Sequence, residues 1–167
     1  MSMSEESLKA AFAGESQANR KYLAFAEKAK KEGYNQVAKL FLAAAESETI
    51  HAHNHLRALK GIKSTNENLQ EAIAGETHEF KNMYPEMLEK AKAEGNKEAE
   101  RSFKYALDTE KVHAALYQKL LNGLEASKGE NYPYFVCPVC GYTSEKQAPP
   151  EKCPLCSVKS SNFIKIE

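Results

Sequence analysis

The sequence predicts an all-α four-helix bundle followed by a small cysteine-bearing module. Three observations carry that prediction: a break in composition near residue 128, an apolar period of three and four residues before the break, and an internal repeat. Of the 167 residues, 1–127 hold all five His and a single Pro, Pro85, whereas 128–167 hold the other five Pro, all four Cys and five of the fifteen aromatics. The expected division is a helical domain over 1–127, a linker over 128–134 and a metal-ribbon domain over 135–167.

Within the first part, apolar residues recur at the spacing of one helix face over roughly 4–32, 36–61, 66–94 and 97–126. Gly33, Gly61 and Gly95 follow three of these runs as expected C-terminal caps, and Ser64-Thr65-Asn66-Glu67 reads as a capping box opening the third. Connections this short make successive helices antiparallel neighbours. Ala13-Gly14-Glu15 returns as Ala74-Gly75-Glu76, Glu27-Lys28-Ala29-Lys30 as Glu89-Lys90-Ala91-Lys92, and Glu48-x-x-His51 as Glu110-x-x-His113; the offset is 61 at the first pair and 62 at the other two. Two related hairpins therefore build the bundle.

Each apolar stripe is interrupted near its middle by ionisable residues. The first reads Leu8, Phe12, Glu15, Ala18, Tyr22, Phe25, Ala29, and the second Val37, Phe41, Ala44, Glu48, His51, His55, Ala58, Ile62. The third carries Glu76 and Glu79 between Ile73 and Met83, and the fourth Glu110 and His113 between Ala106 and Tyr117. Unpaired carboxylates in a dry bundle would each cost several kcal/mol or more, so cations are expected among them. Residues three apart share a helix face about 5–6 Å apart, which lets each Glu-x-x-His present an oxygen and a nitrogen to one metal pair. Mixed oxygen and imidazole ligands suit iron or manganese. One Glu from each of two helices and Glu-x-x-His from each of the other two is the ligand pattern of dinuclear carboxylate bundles. Glu79 adds one ligand to that six-residue set. His53, His55 and His78 fall off the cluster and are read as non-ligands. Tyr22 and Tyr84 place phenols where they can hydrogen-bond ligating carboxylates or donate protons.

The tail carries Cys137-Pro-Val-Cys140-Gly-Tyr142 and Cys153-Pro-Leu-Cys156. Two such knuckles form a tetrahedral four-thiolate site for zinc or a single iron, and a module this small needs such a staple. Lys plus Arg equal Asp plus Glu at 23 each, which argues against a nucleic-acid partner. No apolar run is long enough for a membrane span, and the acidic start lacks the apolar core of a secretion signal. A cytoplasmic location is expected, with the cysteines as metal ligands.

Together, the two hairpins, the additional Glu79 and the paired Cys-x-x-Cys motifs resemble the rubrerythrin family over essentially the whole chain. That resemblance implies a ferritin-like di-iron bundle with a C-terminal rubredoxin-like domain, and a non-haem peroxidase that reduces hydrogen peroxide to water. It implies that Glu48 and Glu110 bridge the irons, that His113 and Glu76 hold one of them, and that Glu15 holds the other with Glu79 or His51. Cys137, Cys140, Cys153 and Cys156 would hold the rubredoxin-type iron. Electrons would come from a donor such as rubredoxin or an NAD(P)H-dependent reductase, which makes the peroxidase indirectly NADH-linked. One departure is Ser157 after the second knuckle, where rubredoxin-like modules usually carry Gly. The competing readings are a ferritin-like ferroxidase and a non-catalytic metal protein with a zinc ribbon. Because His113 lies about fourteen residues, or ~21 Å, from the end of its helix, a homodimer is expected to bring the cysteine module of one chain to the bundle of another. That dimer would be arranged head-to-tail or with swapped hairpins.

Overall fold

The computed structural model describes residues 2–145 and 148–167. They form two compact units, Met1–Lys63 and Ser64–Glu167, a division that does not coincide with the change of composition at residue 128.

The first unit is a helical hairpin of α1 (Met3–Lys31) and α2 (Asn35–Ala58). Ser2 opens α1 through a capping box: its hydroxyl accepts the Glu5 N–H at 3.3 Å, and the Glu5 carboxylate accepts the Ser2 N–H at 2.8 Å. The buried seam is made of small side chains, Ala26 and Ala29 against Ala38, Ala45 and Ala52. Three alanines seven residues apart on α2 let two helices approach closely along one line, as coiled-coil seams do. Asn19 fixes the register by donating to the Ala45 carbonyl at 2.7 Å and to the Thr49 hydroxyl at 2.8 Å.

Taken by itself, the hairpin buries only the strip between its two helices, and Phe25, Val37 and Ile62 are 47%, 46% and 54% exposed. Glu15 and Glu48 border the seam, half-buried. Gly33 takes its expected left-handed cap at φ 85°, but after α2 that conformation falls on Lys60, φ 54°, one residue before Gly61. Gly61 has another reason to lack a side chain, because a Cβ there would run into the Leu56 side chain.

In the second unit, α3 (Thr65–His78) runs through one π-helical turn (Glu79–Met83) into α4 (Tyr84–Ala93), and α5 (Lys97–Asn122) returns antiparallel to them. The predicted capping box forms at Ser64 and Glu67, and Asn96 caps α5 by accepting the Ala99 N–H at 3.1 Å. Pro85 follows the π turn directly as the second residue of α4, where the continuing helix has one N–H fewer to bond. The wide turn is closed by the Tyr84 N–H reaching back five residues to the Glu79 carbonyl.

After α5 come β1 (Tyr134–Val136), β2 (Thr143–Glu145) and β3 (Ile164–Ile166), an antiparallel sheet of order β2-β1-β3. Phe135 at the centre of β1 pairs with Ser144 and Lys165. The two cysteine knuckles repeat one geometry. The Cys137 N–H bonds the Tyr142 carbonyl at 2.9 Å and the Cys153 N–H the Val158 carbonyl at 2.8 Å; Gly141 and Ser157 close the respective turns. Both closing residues are left-handed, Gly141 at φ 83° and Ser157 at φ 64°.

A side chain in that region costs roughly 1–2 kcal/mol. Ser157→Gly is therefore expected to stabilise the metal-loaded module by up to about 1 kcal/mol after the added freedom of the unfolded chain is subtracted, read as slower loss of metal to a chelator. Faster loss would show that the serine hydroxyl matters more than the backbone.

Candidate metal centres

Three groups of ligand-type side chains converge among the described residues: Glu15, Glu48 and His51; Glu76, Glu110 and His113; and the four cysteines. In each, one donor atom per residue lies within 4.8 Å of every other. The first two groups have the same local origin. In each helix an i, i+3 pair turns a His Nδ1 toward the preceding Glu: His51 Nδ1 is 2.9 Å from Glu48 Oε2 and His113 Nδ1 is 2.7 Å from Glu110 Oε2. Glu15 completes the first triad from α1, and Glu76 the second from α3, with His113 Nδ1 3.8 Å from Glu76 Oε1.

The second triad is under electrostatic strain. Burial first, then the adjacent Glu110 carboxylate, pushes the Glu76 carboxyl up to about 7. Burial and Glu110 raise Glu79 in the same direction. His113 is raised too, chiefly by its hydrogen bond to Glu110. Crowded carboxylates that resist ionisation beside an imidazole that holds its proton form a site short of positive charge, and a multivalent cation supplies it.

Glu79 lies at the start of the π turn, outside the triad but close enough to feel Glu110. Burial and then the charges of Glu79, Glu110 and Glu76 raise the Tyr84 phenol, which places it beside this acidic group. Tyr22, in contrast, packs against Phe25 and Phe41 at ring separations of 6.4 and 6.1 Å. His53, His55 and His78 join none of the three groups.

All four cysteines are free thiols. Their sulfurs pair at 3.4 Å, Cys137 with Cys156 and Cys140 with Cys153. That is far beyond the ~2.05 Å of a disulfide and near the separation that metal–sulfur bonds of about 2.3 Å impose on a tetrahedron. Burial pushes the Cys137 thiol up, but the backbone N–H groups of Cys140 and Val139 together with hydrogen bonds to the Cys156 and Cys140 thiols bring it down to about 7. Burial pushes Cys140 upward. Three of the cysteines form the buried core of the module, with Tyr105 of α5, Tyr142 and Phe163 packed around them.

With this geometry, two family models match: one described as rubrerythrin over residues 6–121, the other as the rubrerythrin rubredoxin-like domain over 135–164. The chain belongs to the rubrerythrin family. It is 42% identical to rubrerythrin-2 of Clostridium acetobutylicum, covering 96% of this chain and 95% of that one. It is 38% identical to nigerythrin of Nitratidesulfovibrio vulgaris over 95% and 84% of the two chains. Among solved structures it resembles nigerythrin in a mixed-valent state, with TM-score 0.59, 35% identity and coverage of 99% and 88%. A fully reduced, all-ferrous nigerythrin matches with TM-score 0.59, 34% identity and the same coverage. The donor sets fit the family's iron centres: carboxylate and imidazole groups for a di-iron centre, and four thiolates for a rubredoxin-type iron.

Sequence reasoning did not single out three residues near these centres. Thr143 stands 2.9 Å from His113 Nε2, and the Thr109 hydroxyl donates to the Cys140 carbonyl at 2.8 Å. The Tyr117 phenol is raised by burial and then by Glu76 and Glu110, so it faces the same acids as Tyr84. The first two are linked to the site only through tertiary contact, which no periodicity reports. Tyr117 sits one turn past His113 on the same stripe, and that spacing was a signal for it.

Among the described residues no helix is long and apolar enough to cross a membrane.

Proposed function

We propose that the protein is a non-haem di-iron peroxidase that reduces hydrogen peroxide to water in oxidative-stress defence. The observation that carries this reading is the presence, in one compact unit, of a carboxylate–imidazole triad and a four-thiolate site. Iron storage gives the thiolate site no task. A non-catalytic ribbon protein gives the acidic triads none.

In this reading Glu48 and Glu110 would serve both irons, Glu76 and His113 would hold one of them, and Glu15 would hold the other together with His51 or Glu79. A pair of ferrous ions so held supplies the two electrons that reduction of one peroxide to two waters consumes. The protein's part is to hold the ions and to deliver two protons. The phenols of Tyr84 and Tyr117, kept protonated by burial beside Glu76 and Glu110, stand where protons are needed. Electrons reach the cysteine site from rubredoxin or an NAD(P)H-dependent reductase, which makes turnover indirectly NADH-linked. Free thiols arranged for metal suit a reducing compartment, so the protein is placed in the cytoplasm. The exposed Phe25, Val37, Leu40 and Leu42 of the first hairpin support a homodimer, head-to-tail or with exchanged hairpins.

Anaerobically reduced, iron-loaded protein mixed with hydrogen peroxide is expected to oxidise within seconds. The red absorption of the ferric thiolate centre should develop in step. A carboxylate centre that stays ferrous for minutes overturns the proposal.

A further inference from the structure

Between α5 and the sheet lies a pocket that the reduction of hydrogen peroxide does not call for. The sheet is tied to the helix at two places, where Thr143 of β2 stands 2.9 Å from His113 Nε2 and where Glu145 pairs with Lys119. On α5 the ties are six residues, or ~9 Å, apart, and between them the two surfaces do not close. A pocket of about 290 Å³ follows the helix from His113 to Leu120. Its body is hydrocarbon, with Leu116 and Leu120 from α5 facing Tyr134 and Ile166 from the sheet. The last two are directly paired on β1 and β3, and Ile166 is 50% exposed, so the pocket opens to solvent there. Its polar groups gather at the His113 end. Thr143 gives its only proton to the Gly141 carbonyl at 3.1 Å, and its oxygen then accepts from His113, so both are spent. That leaves the phenol of Tyr117 as the donor at this end, and the same phenol feels Glu76 and Glu110, which brings the pocket to the edge of the carboxylate site. Among the described residues no Lys, Arg, Asp or Glu lines it. Hydrogen peroxide has no carbon to place against such walls. A neutral molecule with a short hydrocarbon body and one hydrogen-bonding head matches them, and the acids beside the head turn away anions.

We propose that this pocket seats the hydrocarbon part of small organic hydroperoxides, which makes them substrates of the carboxylate site alongside hydrogen peroxide. Leu116, Leu120 and Ile166 hold the alkyl or aryl group, and the hydroperoxide head lies at the Tyr117 end. The O–O bond of ROOH breaks as the molecule takes up two electrons, one from each of two Fe(II) that become Fe(III), and two protons; the products are ROH and H2O. Tyr117 donates to the alkoxy oxygen and is reprotonated from solvent, which also supplies the second proton. The proposal rests on the peroxidase reading of the carboxylate site.

Two measurements test it. Reduced, iron-loaded protein is given hydrogen peroxide, cumene hydroperoxide or a series of linear alkyl hydroperoxides. The organic peroxides should be turned over, with KM falling about 4-fold for each CH2 added until the pocket is full. Leu120→Trp, which fills the pocket, and Ile166→Glu, which puts a charge at its open side, should each raise KM for cumene hydroperoxide by about 10-fold or more and leave hydrogen peroxide turnover unchanged. Independently of turnover, cumyl alcohol, the product of cumene hydroperoxide, is titrated into zinc-loaded protein with labelled methyl groups. It should shift the Leu116, Leu120 and Ile166 methyls saturably, and the shifts at Leu116 and Ile166 should vanish in Leu120→Trp. Organic hydroperoxides left intact while hydrogen peroxide is consumed would overturn the proposal. So would an equal loss of both activities in the two variants, or methyl shifts that follow protein concentration and not cumyl alcohol, which would show a second copy of the chain in the pocket. Failure of the peroxidase reading looks different: neither kind of peroxide oxidises the carboxylate centre, while the methyl titration still reports on the pocket.

Discussion

Glu110→Ala is expected to reduce peroxide turnover by more than about 100-fold, since loss of a direct ligand exceeds the 10–100-fold typical of outer-shell partners, while the helices and the thiolate centre persist. Glu110 is the residue on which the second triad converges. It holds His113 Nδ1 at 2.7 Å, and after burial it is the largest cause of the raised Glu76 carboxyl. Removing it therefore has a second, separable signature in metal-free protein: the Glu76 titration should fall from about 7 toward ordinary carboxylate values. Turnover at the original level, with iron still bound, would show that the chemistry lies elsewhere. A fall in activity without movement of Glu76 would show that the triad seen here is not the one at work.

The next largest effect is expected from Cys153→Ser. The module's buried core consists of Cys137, Cys140 and Cys153, and its strands are three residues each. Beyond Phe135 it buries little apolar area of its own, so the free energy of metal binding, about 10–16 kcal/mol for comparable structural sites, is most of its folding free energy. The serine variant should lose the metal and, with it, exchange protection at the Cys137 and Val136 amides. Helical circular dichroism should stay nearly unchanged, because α1, α3 and α5 carry their own N-caps, α1 packs on α2, and α5 packs on α3 and α4 as well as on the module. A variant that keeps slow exchange there without metal would show that packing against Tyr105 suffices.

The helices, the capping box at Ser64 and the residue types of the donor sets were legible in the sequence because they follow local rules. A Glu and a His three apart share a face in any α-helix, and a Ser followed three residues on by Glu makes the same box at residues 2 and 64. Burial was less legible. Phe25 and Val37 occupy the expected stripe yet stand exposed, because the hairpin closes on alanines a few positions away. Lys60 shows the same limit at one residue: a glycine was present, but the backbone needed it one place earlier. Thr109 and Thr143 could not be read at all, since a threonine beside a ligand acquires meaning only when the fold brings another strand or helix to it.

The π turn at Glu79–Met83 explains a small irregularity in the repeat. Between Glu15 and Glu27 in the first hairpin there are twelve steps, and between Glu76 and Glu89 in the second there are thirteen, so the offset grows from 61 to 62 within that stretch. A helix absorbs one inserted residue by widening a single turn, and the widened turn lies inside the stretch that contains the insertion. The duplicated hairpins thus differ by an insertion that arrives together with Glu79, for which the first hairpin has no acidic counterpart. The two half-sites, otherwise alike, are unequal at this one turn. Deleting a residue there would be the direct way to ask what a symmetrical dinuclear centre can no longer do.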